Sequence, residues 1–496
     1  MTITRLISTF ILLLALLSNS YSATITVNNF IDNTISDATC TLREAMENAQ
    51  GASHEDCVAG TNGLDEIDFN LTTDTTVNLT GELSAISNDV NIVNPTSHNL
   101  TVRRDTGGDY RIFTINSGVT VELEGLNIEN GVANNIPNED GGGIYNSGIL
   151  TIKNCQISQN KSVTDDAGGI YNVGSLTIVD SIITDNQAVD KGGAIYNETG
   201  DLIINNTTIS NNSGRRGGGI FNNSQLNIYN SKIISNLAEI EGAGIYNNKI
   251  SQLDINSSTV SENKIYVSNG RTIFNTGQGA GIFNYNILNI VSSSISENSI
   301  INSTNSGTST SIDVGMGAGI YDDGTLAITN SIISGNIIDS KGSGAGIYNY
   351  SGNAKIISST ITNNSILFTV GVGGGLCNDG TAIVENTIIA GNNAPIAPNY
   401  PISPDVVGYN IIGDNNNLIG DLGELSYLGN STIGTGSDIV TSISSLCPLQ
   451  NNGGNTKTHA FLPTSPAIDA GNDTLVPNSL ENYQRGYSRK VGTVDI

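Results

Sequence analysis

The stretch that decides the fold is GGGIYNSGILTIKNCQISQN, residues 141–160, because a close copy, AGGIYNVGSLTIVDSIITDN, follows at residues 167–186. The unit occurs nine times, and its copies align on the residue after a pair of small residues: Ile144, Ile170, Ile195, Ile220, Ile245, Ile282, Ile320, Ile347 and Leu376. A period of about 25 residues predicts a solenoid, in which each copy stacks on its neighbours.

Each unit contains three short apolar segments bounded by Gly, Asn or Ser, such as Ile144-Tyr145, Leu150–Ile152 and Ile157-Ser158. These segments are too short for helices and match strands in composition. Three strands per unit predict an all-β fold, a single-stranded parallel β-helix whose coils pair at about 4.8 Å. We expect each aligned isoleucine to face the bore and alternate positions to face solvent. Two longer intervals hold polar insertions, near residues 264–278 and 299–316, which predict loops leaving one side of the stack.

Asparagine recurs at two fixed places in the unit. One ladder is Asn146, Asn172, Asn197, Asn222, Asn247, Asn284, Asn349 and Asn378, interrupted by Asp322, and the other is Asn160, Asn186, Asn212, Asn236, Asn263, Asn298, Asn336, Asn364 and Asn392. Stacked amides can hydrogen-bond from coil to coil, and Asn tolerates a left-handed backbone at corners. We interpret both ladders as structural.

The amino-terminal part predicts export and a cap. Residues 1–22 have the pattern of a secretory signal peptide, too short for a membrane span. In CTLREAMENAQG, a capping box at Thr41 and Glu44 predicts an amphipathic helix over Thr41–Gln50 that plugs the first coil. We therefore divide the chain into 23–64 with the cap, irregular coils over 65–140, regular coils over 141–395 and a carboxy-terminal part over 396–496.

Composition restricts the classes of function. With 20 Lys and Arg against 46 Asp and Glu, the formal charge is −26, which would repel nucleic acid. Five cysteines in an exported chain indicate an oxidising compartment, in which Cys40 and Cys57 are the best pair. Cys155, Cys377 and Cys447 leave at least one thiol unpaired. We expect a monomer without a cofactor, with Ca²⁺ as a weak alternative held by the acidic surface.

Two motifs resemble those of a known class of exported proteins. CTLREA at residues 40–45 resembles the CSLREA signature of bacterial β-helix proteins, and CPLQNNGGNTKTHAFLPTSPAIDAGN at 447–472, with YQRGYSR at 483–489, is similar to the choice-of-anchor Q region. The repeats also resemble those of chlamydial polymorphic outer membrane proteins. This resemblance implies a right-handed parallel β-helix at the cell surface or outside the cell. The pattern would ordinarily continue past Ile496, so anchoring stays open.

An enzyme is the rival interpretation, because parallel β-helices often carry polysaccharide lyases and hydrolases. The turn before the glycine pair presents a line of charges: Glu139, Asp140, Asp165, Asp166, Asp190, Lys191, Arg215, Arg216, Glu239 and Glu241. Asp165, Asp166, Asp190, Arg215 and Arg216 are the catalytic candidates of this alternative, whereas an exposed ladder of ion pairs is the structural one. Asp322 and Asp323 are weak candidates for a metal site. His54, His98 and His459 lie far apart in the sequence, and we interpret the segment around His459 as a turn.

A catalytic site requires departures from the repeat at one place, whereas a display surface requires only the repeat and occasional loops. The sequence therefore predicts a non-catalytic, exported, adhesin-like or structural scaffold at the cell surface, associated with the outer membrane or released. Its expected partners are host or matrix proteins or polysaccharides, bound by the two insertions. The alternative is a carbohydrate-active enzyme, a polysaccharide lyase or glycoside hydrolase.

Overall fold

The coils of the chain stack into long parallel sheets. The computed structural model describes residues 23–61, 63–134, 140–267, 276–302, 314–368, 371–394, 406–408, 411–412, 417–419, 437–440, 446–477, 480 and 482–486. The predicted signal peptide, Glu139 and the chain after residue 486 lie outside these ranges. Within them every pairing between named strands is parallel and joins one coil to the next, for example Ile170 to Ile144 and Ile195. The fold is the predicted all-β parallel β-helix.

Three long sheets form the sides of the bore. The first has 14 described strands: Thr24–Val27, Asp65–Phe69, Val90–Val93, Thr120–Glu124, Ile149–Lys153, Ser175–Val179, Leu202–Asn205, Gln225–Tyr229, Gln252–Asn256, Ile287–Val291, Thr325–Thr329, Asn353–Ile357, Thr381–Glu385 and Ile411–Ile412. The second has 11: Phe113–Ile115, Ile144–Asn146, Ile170–Asn172, Ile195–Asn197, Ile220–Asn222, Ile245–Asn247, Ile282–Asn284, Ile320–Asp322, Ile347–Asn349, Leu376–Asn378 and Val406–Gly408. The third has 14: Thr75–Leu79, Leu100–Arg104, Leu126–Glu129, Gln156–Ser158, Ile182–Thr184, Thr208–Ser210, Lys232–Ile234, Thr259–Ser261, Ser294–Ser296, Ile332–Ser334, Thr360–Thr362, Ile388–Ile389, Leu418–Ile419 and Ile439–Val440.

A fourth sheet corrects the prediction that residues 264–278 and 299–316 are loops throughout. Its strands are Ser213–Arg216, Leu237–Glu241, Lys264–Val267, Thr276–Gln278, Ser299–Asn302, Val314–Met316, Ile337–Asp339, Lys341–Ser343, Ser365–Ile366 and Gly371–Val372. A short pair, Val132–Ala133 with Lys161–Ser162, lies apart from it. The ends of both insertions are therefore strands, because each coil must pair with the coils beside it along this side too. Residues 268–275 and 303–313 lie outside the described residues.

The bore is filled by the apolar residues that the repeat aligns. Ile144, Ile170 and Ile195 have no exposed surface, and the leucine and isoleucine of each following strand join them in one continuous core. Burial of a side chain of this size contributes about 1.5–3 kcal/mol. Each coil therefore adds a similar increment of stability, as expected of a solenoid.

The left-handed backbone conformation that Asn tolerates does not occur at the described ladder asparagines themselves. In the second ladder, the left-handed residue is the one directly before each asparagine, such as Gln159 with φ 57° and Asp185 with φ 58°. A ladder amide must point into the coil to reach its partners, so the preceding residue carries the bend. At the other corner the residue three positions before the aligned isoleucine has positive φ, 66° at Gly192 and 60° at Gly217.

The cap is a helix over Leu42–Ala49, with Thr41 as its N-cap and a complete capping box to Glu44. Leu42, Ala45, Met46 and Ala49 are buried, as the amphipathic pattern predicts. A short 3₁₀ helix, Asp473–Leu475, is the other described helix. Among the described residues, no helix has the length and apolar character needed to cross a membrane.

Candidate functional site

The strongest cluster of charged groups lies where the sequence places the charged line. The carboxylates of Asp140, Asp165 and Asp166 lie within 4.8 Å of one another. They meet because successive coils stack this turn, so residues 26 positions apart become neighbours. Asp166 is 5% exposed and Asp165 is exposed, so the cluster has one inner and one outer carboxylate. Oxygen groups at this spacing could hold a hard divalent cation.

The rest of the charged line forms ion pairs between coils. Lys191 Nζ lies 2.9 Å from Asp166 and 3.6 Å from Asp190, and Arg215 lies 3.4 Å from Asp190. One coil further, Arg216 Nε donates to Glu241 at 2.8 Å. The candidates of the enzyme alternative are thus brought into one row. Within the described row the cationic groups have carboxylate partners, an arrangement in which a surface pair contributes about 0–1 kcal/mol.

Burial changes the acidity of this cluster. Burial, together with the charges of Asp165 and Asp166, raises the pKa of Asp140 to about 6, although the Asp166 N–H that donates to its carboxylate lowers it. Burial also raises the pKa of Asp166, while Lys191 opposes that shift. Groups that titrate near neutrality are common at catalytic sites and also in structural ion-pair networks.

We expect the substitution Asp140→Asn to raise stability above pH 6. The folded-state pKa of Asp140 exceeds its unfolded value of 3.8, so its carboxyl makes the protein less stable as pH rises from about 4 to about 6. Allowing for solvent screening, the gain at pH 8 should be about 1–2 kcal/mol and should vanish near pH 4. Urea unfolding at the two pH values measures it. An equal gain at both values would show that ionisation of the Asp140 carboxyl group is not the cause.

An aromatic stack runs beside the charged line and corrects the prediction that alternate positions of the second sheet face solvent. Its rings are Tyr145, Tyr171, Tyr196, Phe221, Tyr246, Phe283, Tyr321 and Tyr348, with centroids 4.5–5.6 Å apart. From Tyr171 onward these rings are at most 7% exposed. Lys191 Nζ lies 5.4 Å from the centroid of Tyr196 and covers it. Stacked rings one coil apart shield each other, so burial follows from the repeat itself.

Asp322 and Asp323, the weak metal candidates, lie in different surroundings. Asp322 occupies the break in the first ladder with no exposed surface, and its Oδ1 accepts from Asn284 Nδ2 at 2.6 Å. Asp323 lies outside the ladder, where its carboxylate accepts from the hydroxyl of Ser351. The structure therefore separates the two: one carboxylate belongs to the interior and the other to the surface.

The carboxy-terminal segment forms a contact that sequence reasoning missed. The described residues among 446–486, here called the strap, lie against the outer side of the coils that contain Asn230, Ser334 and Asn386. His459 Nε2 lies 2.9 Å from Ser334 Oγ, while His459 Nδ1 donates to Cys447 O at 2.6 Å. Burial lowers the pKa of His459, so a neutral ring accepts from the serine. Ser334 is 1% exposed, which closes its oxygen to a substrate. The pair resembles a nucleophile and its base, but its hydrogen bond joins the strap to the third sheet.

A small cavity lies between the strap and the third sheet. Its volume is about 120 Å³, and its lining includes Ile332, Thr360, His459, Phe461 and Arg485. No pattern in the repeat points to this cavity, because half of its wall comes from the strap. The cavity is smaller than the roughly 300–1,000 Å³ of typical small-molecule sites, so we assign it no ligand.

The cysteines divide into one disulfide and three thiols. Cys40 and Cys57 are joined, closing the loop that contains the capping helix. Cys155, Cys377 and Cys447 are free, and the first two are buried. Burial raises the pKa of Cys155 to about 11 and that of Cys377 further. Both thiols stay protonated at neutral pH and are poor nucleophiles.

These observations define a capped parallel β-helix with two amide ladders and a strap. No family model matches the chain, and no curated protein matches it. A solved structure similar to this chain is "Crystal structure of pectate lyase Pel9A", with a TM-score of 0.30 and 12% sequence identity, covering 96% of this chain and 97% of that chain. Similarity at this level carries no functional argument. The resemblance to CSLREA and choice-of-anchor Q proteins stays a prediction.

Proposed function

We propose that this protein is a non-catalytic, exported β-helix scaffold that displays its two insertions for adhesion to a host or matrix protein or a polysaccharide. The observation that carries the proposal is the position of the insertions. Lys264–Val267 pairs with Ser299–Asn302, and Thr276–Gln278 pairs with Val314–Met316. The strands on either side of the two insertions therefore occupy equivalent positions in consecutive coils.

The next coil supports this interpretation, because it has no insertion at that point. Ile337–Asp339 and Lys341–Ser343 continue the same two rows of strands, joined by Ser340 alone. A coil therefore needs only one residue for this connection. The additional residues of the two preceding coils are not required to close the coil, which favours a role in recognition.

The charged line favours a structural role more than a catalytic one. Its cations pair with carboxylates of adjacent coils, and its most buried carboxylate, Asp166, accepts from Lys191. The second candidate function, a carbohydrate-active enzyme, has one observation in its favour. Asp140, Asp165 and Asp166 cluster within 4.8 Å, and carboxylates at about 5 Å suit a retaining glycosidase.

The experiment replaces each insertion by a one-residue connection like Ser340, which joins the two strands of the next coil. Residues 267–275 and 302–313 are each replaced by one serine, and the mature chain is tested on arrays of glycans, polysaccharides and matrix proteins. We expect an unchanged circular dichroism spectrum and loss of the binding that the parent chain shows. A control with both insertions scrambled in sequence separates loss of recognition from loss of length.

The same arrays decide between scaffold and enzyme. Binding that persists in the folded double replacement would contradict display by the insertions. Shortened polysaccharide products that disappear with Asp165→Ala or Asp166→Ala would favour the enzyme. We expect no such products, with or without added Ca²⁺.

A further inference from the structure

The first ladder repeats one hydrogen-bond pattern along most of its length. From Asn146 to Asn247, and again at Asn349, the Nδ2 donates to Oδ1 of the next asparagine, at 2.7 Å from Asn146 to Asn172 and at 2.9 Å from Asn197 to Asn222. The same Nδ2 also reaches backbone carbonyl oxygens, as Asn349 does with Gly352 and Thr381. An asparagine that follows this pattern therefore accepts hydrogen bonds at its oxygen and donates them at its nitrogen.

Asp322 fulfils the first half of this pattern and lacks the second. Its Oδ1 accepts from Asn284 Nδ2, and the N–H of Gly324 donates to the same carboxyl. Its Oδ2 occupies the place of the amide nitrogen. Both Asp322 Oδ2 and the facing Asn349 Oδ1 are buried without a hydrogen-bond partner. Two buried acceptors left without a donor would cost about 1–3 kcal/mol each.

Either a proton or a cation could lie between these oxygens, and the packing favours the proton. A methyl group added to Gly352 would lie 2.4 Å from Gly324 O, 2.5 Å from Asp322 Oδ2 and 2.8 Å from Asn349 Oδ1. The point on which the three oxygens converge is thus within a bond length of the Gly352 Cα. A cation with ligands at about 2.3–2.6 Å cannot occupy it. A hydrogen-bonded proton fits the spacing of the ladder.

We propose that Asp322 is held as a neutral carboxylic acid that donates its proton to Asn349 Oδ1 and so completes the amide ladder. A neutral carboxyl group has the shape of an amide and carries one donor and one acceptor. The adjacent coils present the uncharged amides of Asn284 and Asn349, and Asp323 is the charged group that acts on it among the described residues. Asp322 ends the strand that follows Val314–Met316, so this proton lies in the coil that carries the second insertion.

The electrostatics of the site agree with this assignment. Burial, together with the charge of Asp323, raises the pKa of Asp322 to about 7, although the donors Asn284 and Gly324 lower it. The folded-state pKa lies above the unfolded value of 3.8, so the native state binds more protons between these values. Stability from this group is complete below about pH 4 and is lost as pH rises to about 7.

The test compares Asp322→Asn with the matched variant Asp323→Asn, which removes the same charge one residue away. Asparagine completes the ladder at every pH, so the unfolding constant of the parent chain relative to Asp322→Asn should rise about tenfold per pH unit between pH 5 and pH 7. Asp323→Asn should keep the same pH-dependent rise, which should end at a slightly lower pH because the charge of Asp323 raises the pKa of Asp322. Chemical unfolding at several pH values gives the ratio. A ratio independent of pH would overturn the proposal.

Infrared difference spectroscopy provides a second readout that does not depend on unfolding. The parent chain at pH 6 should show the carbonyl band of a protonated carboxyl group that Asp322→Asn lacks and Asp323→Asn retains. Absence of this band in the parent chain would overturn the assignment. Stabilisation of the parent chain by Na⁺ or Ca²⁺ that Asp322→Asn abolishes would replace the proton by a cation.

Discussion

We expect Asn212→Ala to be among the most destabilising single substitutions in the regular coils. Asn212 has no exposed surface, and its Nδ2 donates to Ile183 O, Ser210 O and Asn236 Oδ1. Its Oδ1 accepts from both the backbone N–H and the Nδ2 of Asn186. Alanine would leave several buried groups without partners. The free energy of unfolding should fall by about 3–5 kcal/mol, measured by chemical denaturation.

The control for this prediction is Asn227→Ala in the next coil. Asn227 belongs to the first sheet and points outward, half-buried, between Leu226 and Ile228. Its replacement should change the free energy of unfolding by no more than about 0.5 kcal/mol. Equal losses for the two variants would show that the ladder bonds contribute no more than any other polar contact.

Removal of the disulfide by Cys40→Ala with Cys57→Ala should open the cap. The two cysteines are 17 residues apart, and a loop of this length contributes about 3 kcal/mol. The strand Thr24–Val27 pairs with Asp65–Phe69 on one edge, while the helix lies at this end of the stack. Loss of the cap would expose that strand edge, and exposed edges recruit other strands. Light scattering after mild heating should therefore detect aggregation of the variant first.

The substitution Cys447→Ser provides the matched control, because it removes a thiol without removing a cross-link. It should unfold and aggregate as the parent chain does. If the double variant also behaved as the parent, hydrogen bonds such as Asn28 N–H to Cys40 O would be sufficient to hold the cap.

The parts of the structure that follow from local repetition could be predicted from the sequence. Ile144, Ile170 and Ile195 share one environment, so a single rule about the bore applies to all of them. The amide ladders follow for the same reason. A third row, of buried hydroxyl groups, could not be predicted in this way because its members differ in residue type. In this row Ser181 Oγ accepts from Cys155 N–H, and Thr207 Oγ1 accepts from Ser181 N–H.

Features that depend on contacts between distant parts of the chain could not be predicted. Tyr196 was expected to face solvent because strand alternation ignores the ring one coil away. The strap and its His459 contact join residues 125 positions apart, which no period of about 25 residues encodes. At the charged line, spacing predicted which residues meet, whereas the raised pKa of Asp140 depends on the depth of burial.

The strap also restricts how this protein can change its length during evolution. Asn455 contacts Asn230, His459 contacts Ser334, and Asn472 exchanges two hydrogen bonds with Asn386. The spacing of these contacts along the strap therefore matches the spacing of the coils that they reach. Duplication of a coil between Asn230 and Asn386 would move these contacts apart by one inter-strand spacing, about 4.8 Å, and break their register. The described contacts of the strap place no such constraint on the coils before Asn230, so new repeats should accumulate at that end.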